Sequence, residues 1–492
     1  MSELIMAIDQ GTTGTTVLLV DRDGKVAAKG YREFPQVFPL AGWVEHDPEA
    51  IWESTLESVR SALQAGGVAP GAIAAIGITN QRETTLVWDR TTGRPVQNAI
   101  VWQCRRTADL CRELKRQGVE PLYRNRTGLV LDPYFSGTKN AWILRNNAEA
   151  ARLASEGQLA FGTVDSFLVW RLTGGAVHVT DVSNASRTLL LDLETLQFSD
   201  DLLAPLEIPR SVLPQVCGNS TVVGRTKGIA GLPDGIPISG LAGDQQAALF
   251  GQACFETGEG KCTFGTGAFM LVNIGDRPLP SSHGLLTTVA WSIGGRPRYA
   301  FEGSAFIAGA AVQWLRDGLQ IIRAASDIEP LAASVSDSGG VVFVPALTGL
   351  GAPHWRPEAR GALLGITRGT CRGHIARAAL EGIALQNRDI MRAMADDLGS
   401  HLASLRVDGG AAANDLLMQL QSDLLGTRVL RPSQVETTGL GAAFLAGLGI
   451  GFWSSIEDVR KVWHLDREFT PKMAPEDAQA LIDRWTAAVP RA

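Results

Sequence analysis

The stretch LIMAIDQGTTGTTVLLV (Leu4–Val20) reads as an apolar strand, Leu4–Ile8, a polar turn, Asp9–Thr16, and a second strand, Val17–Val20. Asp23-Gly24, flanked by Val20 and Val26, is a two-residue hairpin signal that turns the chain back once more. His46-Asp47-Pro48-Glu49 then opens a helix: Asp47 is a good N-cap, Pro48 suits the first turn, and Glu49 favours the positive end of the helix. Ile51, Trp52, Thr55, Leu56, Val59 and Leu63 recur at helical spacing, and the apolar strand Ile73–Ile78 follows. Hairpin, helix and strand make a mixed α/β unit.

A similar order of elements restarts near residue 238. Ile238–Leu241 leads into AGDQQAAL (Ala242–Leu249). Lys261–Phe264 and Phe269–Ile274 then flank the turn Gly265-Thr266-Gly267. Leu405–Val407 ends at Asp408-Gly409-Gly410, before a helix whose Leu416, Leu417, Leu420 and Leu424 share a face. Two α/β lobes with a cleft between them are expected from this repeat of element order.

The 492 residues suit two or three domains, and 45% hydrophobic with 20% charged residues is the composition of a folded chain. With 45 Lys and Arg against 51 Asp and Glu, the net charge is −6, and no long basic run suits a nucleic-acid backbone. No apolar run reaches the roughly 18 residues of a membrane span. Gly439–Trp453, rich in Gly and Ala, reads instead as a tightly packed buried helix with a glycine turn after it. No secretory leader is expected at the N-terminus. The six cysteines fall in no metal spacing and suit a reducing, cytoplasmic setting as free thiols.

Asp9–Thr16 places an Asp, two Gly and four Thr at a strand end. Glycines let the backbone approach an anion, successive N–H groups and Thr hydroxyls cradle phosphate oxygens, and Asp9 offers hard oxygen to Mg²⁺. An ordinary hairpin turn draws on the same residue types. Neither a Walker A motif nor a dinucleotide-type GxGxxG is present. Three further glycine turns, Gly265–Gly267, Asp408–Gly410 and Gly303–Gly309 before Gln313, are what a nucleotide spread across a cleft needs. Asp244, after an apolar strand, is either a general base for phosphoryl transfer or a helix N-cap. Arg82-Glu83 suits the vicinal hydroxyls of a polyol, or else forms a surface ion pair. Trp102, Tyr134 and Phe269 can supply apolar walls.

With these residues assembled, the chain resembles the FGGY carbohydrate kinases from about Ile5 to Trp453. The segments that carry the likeness are IAAIGITNQRETT (Ile73–Thr85), NAIVWQCRRT (Asn98–Thr107), TGLVLDPYFSGTK (Thr127–Lys139), HVTDVSNASRT (His178–Thr188), AGDQQAALFGQ (Ala242–Gln252) and RVDGGAAAN (Arg406–Asn414). The resemblance implies two actin-like domains of ribonuclease-H type, residues 1–250 and 251–492, closing on ATP and Mg²⁺ in an interlobe active-site cleft. It implies γ-phosphoryl transfer to a terminal hydroxyl of glycerol, giving sn-glycerol 3-phosphate. By position, Arg82, Glu83, Tyr134, Asp244 and Gln245 would hold the hydroxyls, Trp102 and Phe269 would pack on the carbons, and Asp244 would be the base. Thr12, Thr13, Gly14, Thr266, Gly309, Gln313, Gly410 and Asn414 would contact the nucleotide, with Asp9 near the metal through water. Partners beyond glycerol and ATP would be further copies of the chain, as a homodimer or homotetramer. Trp102-Gln103 favours glycerol over a sugar.

Among the chain's departures from the family pattern, Thr16 stands where an Arg is usual, Gly235 ends the Gly228–Gly235 loop where an Arg binds an effector in some members, that loop has no His, the tail beyond residue 465 does not match, and Asn140 replaces an apolar residue. The alternatives are a kinase of the same family for another polyol or sugar, and a non-catalytic actin-like nucleotide switch.

Overall fold

The computed structural model describes residues 3–356 and 358–492. The opening strand-turn-strand becomes β1 (Leu4–Gln10) and β2 (Gly14–Val20), and the Asp23-Gly24 hairpin leads to β3 (Val26–Glu33). The turn is shorter than the polar run: Asp9 pairs with Thr16 and Gln10 with Thr15, so only residues 11–14 lie outside the β1–β2 ladder. Backbone hydrogen bonding continues past the point where the side chains turn polar. Helix α1 (Pro48–Gly66) starts at Asp47, whose carboxylate accepts from the Glu49 N–H, and ends at Gly67 in the left-handed region. Strand β4 (Ile73–Asn80) then lies parallel to β1.

Two more strands, β5 (Ser220–Arg225) and β6 (Pro237–Gly243), complete a six-stranded sheet of order β3-β2-β1-β4-β6-β5. The expected restart at residue 238 is therefore misplaced. Ile238–Leu241 lies in β6, parallel to β4, and closes the first sheet rather than opening the second. Its nearly continuous apolar run is that of a strand buried on both faces.

The second sheet opens at β7 (Glu259–Phe264) and continues through β8 (Ala268–Gly275), β9 (Leu286–Ile293), β10 (Arg296–Ala305), β11 (Ser404–Asp408), β12 (Arg428–Pro432) and β13 (Leu465–Phe469). Its order is β9-β10-β8-β7-β11-β12-β13. The run β10-β8-β7-β11-β12 repeats β3-β2-β1-β4-β6: three antiparallel strands, then two parallel to the first. Gly303 belongs to β10, so the turn before Gln313 is only the short link to the next helix.

Strand alternation distributes the two faces of the first sheet. Met6, Ile8, Val17 and Leu19 pack with Ile51, Trp52, Val59 and Leu63 of α1. Ile5, Ala7, Leu18 and Val20 pack with Leu440, Phe444 and Leu445. Those last three belong to the Gly- and Ala-rich helix Thr437–Gly449, which comes late in the chain yet lies against β1, β4 and β6. The same apolar cluster includes Leu271, Trp291 and Ala300 of the second sheet, so one core joins the lobes. The helix meets Asp244–Gly251 so closely that a Cβ on Gly441 would lie 1.8 Å from the Ala247 carbonyl oxygen. Only glycine permits that approach.

Candidate active site

Asp244 begins the helix that follows β6, and Gly243 precedes it. A Cβ on Gly243 would stand 2.7 Å from Cδ of Arg82, so glycine lets the arginine lie against the strand end. Asp244 is not an N-cap. Its Oδ1 accepts from the Gln245 N–H at 2.7 Å and faces Arg82 Nε at 3.0 Å, and its side chain is 31% exposed. Among the described residues nothing bonds to Oδ2, which leaves that oxygen able to take a proton.

Arg82 and Glu83 follow β4 in a tight turn in which Glu83 has φ +60°, a conformation non-glycine residues adopt at a cost. They are not a surface pair. Arg82 is 3% and Glu83 1% exposed. Arg82 Nη1 and Nη2 donate to Glu302 at 2.5 and 3.1 Å, and Glu302 also accepts from Arg187 Nη2 at 2.9 Å. Arg187 Nε donates to Glu83 Oε1 at 2.6 Å. Glu302 lies on β10 of the second sheet, so this buried charge network spans both lobes. Arg187 Nη1 is a buried donor with no partner among the described residues.

The charges set each other. Burial alone would raise the Glu302 carboxyl, but Arg187 and Arg82 outweigh it and hold it to about 2. Burial wins for Glu83 and raises it, against the same two arginines. Burial pushes Asp9 up to about 7, with the charges of Asp244 and Glu436 adding to it.

Aromatic walls surround this cluster. Trp102 and Tyr134 meet edge-on at 5.8 Å between centroids, and the Arg187 guanidinium lies 5.7 Å from the Tyr134 ring. The loop carrying Tyr134 is fixed by Lys139, which donates to the Tyr134 carbonyl and to the Glu83 carbonyl at 3.3 Å. Burial lowers the Lys139 ammonium to about 8. Trp102 Nε1 donates to Thr12 Oγ1 at 3.0 Å, tying this wall to the glycine turn after β1.

Behind that turn, His46 Nε2 donates to Gln36 Oε1 at 2.7 Å and Gln36 Nε2 donates to the Thr12 carbonyl at 2.9 Å. Burial lowers His46 to about 4 from its usual 6.5. Its neutral form is the native one, so its contribution to stability is lost as the pH falls from 6.5 through about 4. Denaturation midpoints at successive pH values should show that His46→Gln flattens this slope by up to about 1.4 kcal/mol per pH unit.

The remaining predicted residues gather at the ends of β7 and β11, which run parallel with Thr263 opposite Asp408. The Gly265 and Thr266 carbonyls accept the N–H groups of Gly309, Ala308 and Ala310 at 2.8–3.0 Å, docking this turn on the start of the helix Gly309–Asp317. Thr266 and Gly309 are thereby neighbours, and Gln313 lies one turn further along the same helix. Gly410 follows β11, and Asn414 caps the next helix by accepting from the Leu417 N–H at 2.8 Å. Phe269, on β8, is partly exposed.

Profiles of the FGGY family of carbohydrate kinases match twice: the N-terminal domain over residues 4–251 and the C-terminal domain over residues 260–450. The chain belongs to the FGGY family of carbohydrate kinases. Among its FGGY relatives, the glycerol kinase of Myxococcus xanthus is 58% identical, covering 100% of this chain and 99% of that protein. The glycerol kinase of Bdellovibrio bacteriovorus is 54% identical over 100% of this chain and 99% of that protein. The crystal structure of Plasmodium falciparum glycerol kinase with ADP superposes with a TM-score of 0.94 at 37% identity, covering 100% of this chain and 98% of that one.

Two members of this FGGY network, Arg187 and Glu302, escape a local reading of the sequence. The available signal is a charge inside an apolar strand, as in Tyr299-Ala300-Phe301-Glu302, because a buried carboxylate requires a partner. Asn140 is fully buried, and among the described residues neither its Oδ1 nor its Nδ2 has a partner. Asn140→Leu should therefore stabilise the fold by roughly 1–3 kcal/mol in urea denaturation.

Proposed function

We propose that the chain transfers the γ-phosphoryl group of ATP to a terminal hydroxyl of glycerol, giving sn-glycerol 3-phosphate. The observation that carries this reading is the buried network of Arg82, Glu83, Arg187 and Glu302, set beside Asp244 with its free Oδ2. Such a set both donates to and accepts from vicinal hydroxyls. Full-length identity of 58% and 54% to glycerol kinases selects glycerol among polyols.

In this reading Arg82, Glu83, Tyr134 and Gln245 hold the hydroxyls, and Trp102 and Phe269 cover the carbons. Asp244 Oδ2 takes the proton of the attacking hydroxyl as its oxygen bonds to the γ-phosphorus, while the bond to the ADP oxygen breaks. Thr12, Thr13 and Gly14 from one lobe, and Thr266, Gly309, Gln313, Gly410 and Asn414 from the other, hold the nucleotide. Positioning supplies much of the rate, and excluding water prevents loss of the phosphoryl group to hydrolysis.

The residues also fit Mg²⁺. Asp9 has no hydrogen-bond or ion-pair partner among the described residues and stands near the Asp244 charge. No cluster of three or more ligating side chains occurs among the described residues. Magnesium commonly takes one or two carboxylates and fills its shell with water and phosphate oxygens. Asp9 would hold the ion through water, and when bound the ion neutralises phosphate charge.

ADP release with ATP and Mg²⁺ across glycerol, dihydroxyacetone, erythritol, ribitol and xylulose tests the substrate. The expected result is the highest kcat/KM for glycerol. A preference for a five-carbon substrate would move the reading to another polyol, and no stimulation by any of them would overturn it.

A further inference from the structure

Lys261 is a fully buried cation to which the reaction described above gives no role. It lies on β7, in the second lobe, at 0% exposure. Its ammonium donates to three acceptors: Gln245 Oε1, Thr263 Oγ1 at 2.9 Å and the Phe269 carbonyl at 3.3 Å. Two of those three belong to residues placed around the polyol, and Gln245 comes from the other lobe. Burial lowers the Lys261 pKa from its ordinary value, while the charges of Asp408 and Asp244 favour the protonated form.

An ammonium has three N–H donors and no acceptor. The atom of the Gln245 amide that faces it is therefore the carbonyl oxygen, and the NH₂ group is left for other partners. We propose that Lys261 is a positioning residue for substrate recognition, which holds Gln245 Oε1 and so makes Gln245 a hydrogen-bond donor to one polyol hydroxyl. This rests on the reading of the chain as a polyol kinase. It gives the pocket matched halves. Gln245 and Arg82 donate to hydroxyl oxygens, and Asp244 and Glu83 accept hydroxyl protons. A flipped amide would set a third acceptor beside two carboxylates and leave one hydroxyl oxygen without its donor. A site built to hydrogen-bond a hydroxyl discriminates strongly against the analogue that lacks it.

The test compares kcat/KM for glycerol, 1,2-propanediol and 1,3-propanediol in wild type, Lys261→Met, Gln245→Ala and Gln245→Glu. Gln245→Ala should lower the preference for glycerol over one of the two diols by at least about tenfold. Lys261→Met should lower the preference over that same diol to a similar degree, with KM for ATP within about twofold of wild type. Gln245→Glu, which keeps an oxygen toward Lys261 but replaces the outward donor by an acceptor, should behave as Gln245→Ala does.

A retained preference in Lys261→Met, or an equal fall for glycerol and both diols as a purely structural role requires, overturns the inference. So does a retained preference in Gln245→Glu, which can overturn it even if Lys261→Met does not fold. Wild type that turns over none of the three substrates refutes the kinase reading itself. Wild type that prefers glycerol while the variants keep its preference refutes the roles given to Lys261 and Gln245 and leaves the kinase reading standing.

Discussion

Asp244→Asn should lower turnover with glycerol by about 10²–10⁴-fold, the range of a lost general base. Asparagine has the shape of aspartate, and its Oδ1 can still accept from the Gln245 N–H and from Arg82 Nε, which now hold that atom at 2.7 and 3.0 Å. What it cannot do is take a proton, because an NH₂ group replaces Oδ2. The geometry around the hydroxyls is therefore kept while the proton loses its destination. The expected pattern is a fall in kcat with KM for glycerol and KM for ATP changed only a few-fold, the signature of an interaction made in the transition state. Turnover within tenfold of wild type would mean that the proton leaves by another route and that Asp244 only positions the substrate.

The largest effect on stability belongs to Glu302→Ala. This carboxylate is 1% exposed and accepts from both Arg82 and Arg187, which are themselves 3% and 0% exposed. Removing it leaves two buried guanidinium groups short of their counter-ion. Breaking a buried pair from one side costs about 3–5 kcal/mol, mostly because the remaining charge is left uncompensated. Urea denaturation should show a loss of that size, and a smaller one for Glu302→Gln, which keeps the shape and one acceptor.

The pH dependence gives a second readout. Because the folded protein holds the Glu302 carboxyl down to about 2 from its usual 4.5, its contribution to stability is full above 4.5 and is lost as the pH falls toward 2. That part of the acid slope should vanish in Glu302→Gln. Since Glu302 also fixes the fork of Arg82, the same variant should raise KM for glycerol more than KM for ATP.

What the sequence made legible was local. The strand-turn-strand of Leu4–Val20, the Asp23-Gly24 hairpin and the Asp47-capped helix each depend on residues within a turn or two of one another, and all three form, the first with a shorter turn than its polar run suggests. Asp244 and the pair Arg82-Glu83 stood out by residue type and by their place after strands, but their surroundings did not. Whether Asp244 capped a helix depended on Arg82, and whether Arg82-Glu83 sat on the surface depended on Arg187 and Glu302; all these partners lie far away along the chain. Lys261 was hidden for the same reason, since a lysine in a short strand carries no local sign that it meets Gln245 across the lobes. The restart placed at residue 238 failed differently. Ile238–Leu241 followed by AGDQQ imitates the opening strand and its polar turn, and only strand pairing reveals it as part of the first sheet.

In the proposed function the interlobe site delivers the γ-phosphoryl group to glycerol and not to water. The most direct measurement is a single turnover with ATP labelled in the γ-phosphate, with Mg²⁺ and glycerol present, followed by separation of the labelled products. The label should appear in sn-glycerol 3-phosphate, with inorganic phosphate only a minor product, and Asp244→Asn should slow both. Label that goes mainly to inorganic phosphate, at a rate indifferent to glycerol, would overturn the glycerol kinase function and leave a nucleotide switch in its place.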